Sequence, residues 1–152
     1  MIFYKIISSF SYPDLLPRDS PIHAATSIFP AFPSSSASRP FSYADYLLDA
    51  YNIFQRLELM TELTAAEAAA DSSPHTAMWR GLRRELKKIV AGVYTELVGG
   101  QGMTPPAPHT RAILPAALRC VQHSVYRDIR NFVVFRSIRD AAHFYHQIFK
   151  QK

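Results

Sequence analysis

At 152 residues, 48% hydrophobic and 19% charged, the chain is sized for one globular domain and is too apolar for a disordered tail. Its single cysteine, Cys120, excludes an internal disulfide, so packing alone must hold the fold. A formal charge of +5 admits nucleic acid, anionic membrane or acidic protein partners without selecting one, and the absence of any run of about 18 apolar residues excludes a helical membrane span.

Residues 1 to 41 are rich in proline, serine and aromatics. Pro13, Pro17, Pro21, Pro30, Pro33 and Pro40 lie too close together for a long helix, so the segment reads as extended, with Phe3, Phe10, Phe29, Phe32 and Phe41 as anchors. The opening stretch, MIFYKIISSFSYPDLLP, makes a poor signal peptide: Lys5 interrupts a short apolar run, and no small-residue cleavage site follows. A first helix is expected over 42–70, with Ser42 as N-cap and Asp45 three residues on. Leu47, Ala50, Phe54, Leu57 and Met60 form its buried stripe, widened by Tyr43, Tyr51 and Ile53; the Ala-rich end has little to bury.

A second helix is expected over 74–98, starting near Ser73 or Thr76 with Pro74 in its first turn. Met78, Leu82, Leu86, Ile89, Val93 and Leu97 make its inner face; Arg80, Arg83, Arg84, Lys87 and Lys88 make a cationic outer one. Gly99-Gly100 ends it, and Pro105, Pro106 and Pro108 stiffen the loop that follows. From 115 to 150 the spacing predicts one unbroken helix of roughly 50 Å, with Pro115 in its first turn. Leu118, Val121, Val125, Ile129, Phe132 and Phe135 recur on its inner face, continuing through Ile138, Ala142, Tyr145 and Phe149. Three long helices and no convincing strand point to an all-α bundle, in its simplest form up-down.

No catalytic constellation emerges, so the chain reads as a binder and not an enzyme. His143 and His146 have a spacing that a metal could bridge, but no nearby Cys, Asp or Glu except Asp140 adds to the set, and surface or interface histidines are the preferred reading. Cys120 and His123 are within reach for a nucleophile and base, yet a mid-helix position offers no oxyanion-stabilising loop. GGQG follows a helix instead of a strand, which makes it a helix stop and not a phosphate loop. No metal or cofactor is expected. The basic run from Arg80 to Lys88 reads first as a solvated helix face and second as a phosphate-binding one.

Four segments in order carry a resemblance. FRSIRD (Phe135 to Asp140), IVAGVYTELVGG (Ile89 to Gly100), DAYNIF (Asp49 to Phe54) and SFSYPDLLPRDSP (Ser9 to Pro21) resemble motifs of the ciliary neurotrophic factor, cardiotrophin and cardiotrophin-like cytokine family. That resemblance implies a long-chain up-up-down-down helical bundle, here with three main helices and a Pro-rich lead segment. By the same alignment the chain is expected to begin within the family's first crossover, its first helix absent. The remaining helices should then expose apolar stripes, favouring self-association.

The implied function is that of a secreted growth-factor-like ligand with neurotrophic activity. It would bind cytokine receptor ectodomains, including one like the ciliary neurotrophic factor receptor and a shared signalling receptor, and act through JAK and STAT proteins. It would be extracellular despite the poor signal peptide, with a cytoplasmic pool as the second expected location. Carried onto this sequence, the receptor-binding surface includes Arg136, Arg139 and Asp140. The family's Phe-x-x-Lys at the start of the last helix falls on Ala117 and Cys120, so the resemblance does not extend to the contact it makes with the leukaemia inhibitory factor receptor. The rival reading is an intracellular helical adaptor or a basic nucleic-acid-binding module.

Overall fold

The structure, a computed structural model, describes residues 40–114, 116–122 and 124–151, and no side chain for Ala117. The lead segment before residue 40, Pro115 and His123 therefore lie outside the described residues. What is described is mostly helical, without a strand. The main helices are α1 (Tyr43–Ala70), α2 (Thr76–Thr95) and α4 (Ser124–Lys150), with a four-residue turn of helix, α3 (Ala116–Arg119), ahead of the last. No described helix is long and apolar enough to cross a membrane.

α1 opens on a reciprocal capping box. Asp45 N–H donates to Ser42 Oγ at 3.2 Å, and Ser42 N–H donates to Asp45 Oδ2 at 2.8 Å. The expected stripe from Leu47 to Met60 is buried, and the Ala-rich end is buried too, through Thr61, Thr64, Ala65 and Ala68. Ser72, at φ 54°, turns the chain in the left-handed region, and Ser73 N–H donates to Ala68 O at 2.8 Å. α2 begins at Thr76, so Pro74 sits in the connecting turn ahead of the helix.

Pair contacts set the directions. Tyr51 meets Tyr94, and Glu58 and Glu62 meet Arg83, so α1 and α2 are antiparallel. Tyr43 meets Phe149, Phe54 meets Tyr145, and Glu67 meets Arg130, so α1 and α4 are antiparallel as well. α2 and α4 thus run parallel, which a simple up-down bundle does not allow. The reason lies in the long connection. After α2 widens into a π-type turn over Glu96–Gly100 and turns at Gly102 (φ 62°), the chain climbs back along α1 before reversing into α4. His109 N–H donates to Gln55 Oε1 at 2.9 Å, Arg111 pairs with Glu62, and Leu114 and Leu118 are buried.

The unbroken helix expected over 115–150 is divided in the structure. Cys120–Gln122 is not helical. The break lets Leu114 and Leu118 fold onto the core, while Arg130 reaches back to donate to Leu118 O at 3.0 Å. It also sets a different register at the start of α4: Val125, expected inside, is 54% exposed, whereas Arg130 is only 3% exposed. The first turns of α4 rest on the acidic end of α1, where Glu67 and Asp71 pair with Arg130 and Arg127, and not on an apolar stripe. Farther along, Phe135, Ile138, Ala142 and Tyr145 are buried as expected.

On α2, Leu82, Leu86, Ile89 and Val93 are buried, as is Leu97 in the π-type turn that follows; Met78, at 37% exposure, is displaced by Trp79. Trp79 turns inward to meet Phe135 edge-on at 6.4 Å. The exposed stripes expected on α1 and α2 are not seen. The large exposed apolar side chains among the described residues (Met78, Tyr94, Val98, Ile113, Val125 and Tyr126) are scattered over several elements.

At the α1–α4 crossing, the fully buried Tyr145 hydroxyl donates to Asp49 Oδ2 at 2.5 Å. Burial first, then that hydrogen bond and the Asp49 charge, push the phenol far above its ordinary value. The unfolded chain therefore loses this proton first as pH rises. Stability is flat in this group below about pH 10 and falls above it, by about 1.4 kcal/mol per pH unit. Urea unfolding between pH 9 and 11.5 should show this decline, and Tyr145→Phe should make it shallower, burial of Tyr43 and Tyr51 raising those phenols too, while lowering stability near pH 7 by about 1–3 kcal/mol. An unchanged alkaline slope in the variant would rule Tyr145 out as its source.

Candidate functional site

The FRSIRD segment divides by face. Phe135 and Ile138 point into the core, and Ser137 folds back to donate to Val133 O at 2.8 Å. Arg136, Arg139 and Asp140 are left together on the outer surface of α4, with side chains 56%, 42% and 42% exposed. Asp140 serves both guanidinium groups: Arg139 Nη2 lies 3.0 Å from its Oδ1, and Arg136 Nε lies 3.6 Å from its Oδ2. The carboxylate is thereby oriented and the cluster keeps a net positive charge.

Such pairs add little to the fold. Exposed ion pairs are worth about 0–1 kcal/mol, and Arg ahead of Asp at i,i+4 is the less favourable order along a helix. Beside the cluster, a hollow of about 490 Å³ is lined by Arg139, Asp140, His143, Phe144, Gln147 and Ile148. Phe144 and Ile148 are half-buried, so charged groups here border an apolar floor. This combination can receive a partner that brings both an apolar side chain and a compensating charge.

Two further polar groupings were not evident from periodicity. At the turn end of the bundle, a hollow of about 540 Å³ is lined by Trp79, Phe132 and Phe135, with Glu67, Asp71 and Arg127 among its polar groups. Arg127 Nη1 meets Asp71 Oδ2 at 2.7 Å across it. Under the long connection, Gln55 Nε2, Arg56 Nε and His109 Nε2 are buried with no hydrogen-bond partner among the described residues. Burial, then the nearby Arg56 cation, hold the His109 imidazole below its ordinary value, which keeps it neutral near pH 7. Acidification through that lowered range works against the folded state. The signal for Trp79 was its place three residues before Leu82; Arg130 gave none, because a charged residue is not sought on a buried face.

Among the described residues no three His, Cys, Asp or Glu side chains gather as a metal-binding group. Cys120 is exposed, and its sequence neighbour His123 lies outside the described residues. No protein-family profile, no curated protein and no solved structure matches this chain.

Proposed function

We propose that the chain is a cytokine-like ligand that binds cell-surface cytokine receptor ectodomains outside the cell and signals through JAK and STAT proteins. The observation that carries this reading is the direction of the helices. In an up-up-down-down cytokine bundle, the last two helices run parallel to each other, antiparallel to the second helix, and are joined by a long crossover. The directions of α1, α2 and α4 support this reading, in which the long connection between α2 and α4 stands for that crossover. Arg136, Arg139 and Asp140 form the receptor-binding surface on the last helix, exposed and clustered without a stabilising role that would explain them. The ligand acts by binding alone; no step in this function calls for a metal or cofactor.

Titration against the soluble ectodomain of the ciliary neurotrophic factor α-receptor tests the reading. Saturable binding is expected, with Arg136→Ala and Asp140→Ala each weakening it about tenfold, the scale of a contact worth a little over 1 kcal/mol. A folded chain that binds no ectodomain of that receptor group would overturn it.

A further inference from the structure

A second surface lies in the groove that α1 forms with α2. Arg80, Arg83, Arg84, Lys87, Lys88 and Arg111 line this groove, and Glu62 is the one carboxylate among its described lining residues. The groove encloses about 740 Å³ over a floor of Ala65, Ala66, Ala69 and Ala91, whose small side chains leave the cations standing as walls.

The charges are not cancelled locally. Glu62 spends one oxygen on Arg83 (2.5 Å) and the other on Arg111, so it holds two guanidinium groups in place without neutralising both. Arg83 is fixed further by Glu58 at 2.9 Å, and Lys88 meets Glu85 at 2.9 Å. Arg80, Arg84 and Lys87 are exposed and have no carboxylate partner among the described residues. From Arg80 to Lys88 the row runs about 12 Å along one helix, with the pinned Arg83 and Arg111 beside it.

We infer that this groove binds a linear sulfated polysaccharide. A row of cations over a small-residue floor suits a flexible polymer with closely spaced oxyanions, held by guanidinium and ammonium contacts. A single-stranded nucleic acid fits less well. Among the described residues that line the groove none is aromatic, so they offer none of the stacking that contributes about 1–3 kcal/mol per base. The site is independent of the receptor reading, because it lies on other residues of other helices.

The test measures affinity for a heparin-derived dodecasaccharide over a salt series, beside a twelve-nucleotide oligothymidylate. The intact chain should bind the saccharide at least tenfold more tightly than the oligonucleotide. Arg80→Gln, Arg84→Gln and Lys87→Gln together should lower saccharide affinity at least tenfold near 0.15 M salt. By counterion release, they should also reduce the slope of log affinity against log salt by about two. Glutamine keeps the helix propensity, and the three side chains are exposed, so circular dichroism should match the parent. Arg136→Gln should leave saccharide binding unchanged. In the unsubstituted chain, bound saccharide should shield Lys87 and Lys88 from acetylation and leave Lys150 open. Equal or tighter oligonucleotide binding would overturn the proposal in favour of a nucleic-acid groove. Unchanged saccharide affinity in the triple variant, or absent shielding, would overturn the site itself.

Discussion

Arg130→Ala should lower stability by about 3 kcal/mol, the scale of breaking a buried ion pair from one side. For a domain of this size that corresponds to a melting point lower by about 10 °C. Arg130 is only 3% exposed, and it holds three things at once. Its Nη2 pairs with Glu67, its Nη1 donates to Leu118 O at 3.0 Å, and Nη2 also reaches Asn131 Oδ1 at 2.8 Å. Truncation leaves a partly buried carboxylate on α1 and an uncapped carbonyl at the end of α3. It also unties the start of α4 from the α1 terminus.

The companion variants separate charge from packing. Arg130→Met keeps most of the volume but leaves Glu67 unpaired, and should remain destabilised. Adding Glu67→Leu removes the stranded charge and should restore much of the loss, since apolar replacement of a whole buried pair is often neutral. Chemical denaturation of the four proteins reads this directly. An Arg130→Ala variant within 1 kcal/mol of the parent would mean that the α3–α4 break is held by something else.

Phe54→Ala is the second large effect, about 4 kcal/mol, from lost transfer energy and the cavity left behind. Phe54 is fully buried at the α1–α4 crossing, with its ring 5.5 Å from that of Tyr145. Tyr145 in turn stacks on Phe149 at 5.8 Å and meets Phe144 edge-on at 5.0 Å. Loss of one ring therefore loosens an aromatic cluster that joins the start of α1 to the end of α4. Against a total stability of about 5–15 kcal/mol, the urea midpoint should fall by a large fraction. A loss below about 1.5 kcal/mol would show that α4 does not bear on α1 at this point.

Much of the helical content was legible because it rests on local physics. The α1 capping box needs only Ser42 and Asp45 at the right spacing, and the buried stripes of α1 and α2 follow the helical repeat of their apolar residues. The candidate surface was legible in a different way. Resemblance singled out Arg136, Arg139 and Asp140, and the structure brings these three side chains together without by itself assigning them a partner.

Where periodicity misled, long-range contacts had intervened. The 115–150 stretch has no glycine and, after Pro115, no proline, so nothing local forces a break. The break follows from burying Leu114 and Leu118 and from Arg130 reaching the Leu118 carbonyl, contacts that join segments far apart along α4 and the connection. The inward turn of Trp79 depends likewise on Phe135, fifty-six residues away.

The sequence by itself determined an all-α chain with three long amphipathic helices and a cationic face on the second. These depend on propensity, capping and repeat, which neighbouring residues set among themselves. Only the tertiary structure decided that α2 and α4 run parallel, that Arg130 is a buried clamp, and that the cations of α2 wall a groove. Those outcomes depend on which distant side chains meet, through the ion pairs of Glu62 and Glu67 and the path of the long connection along α1.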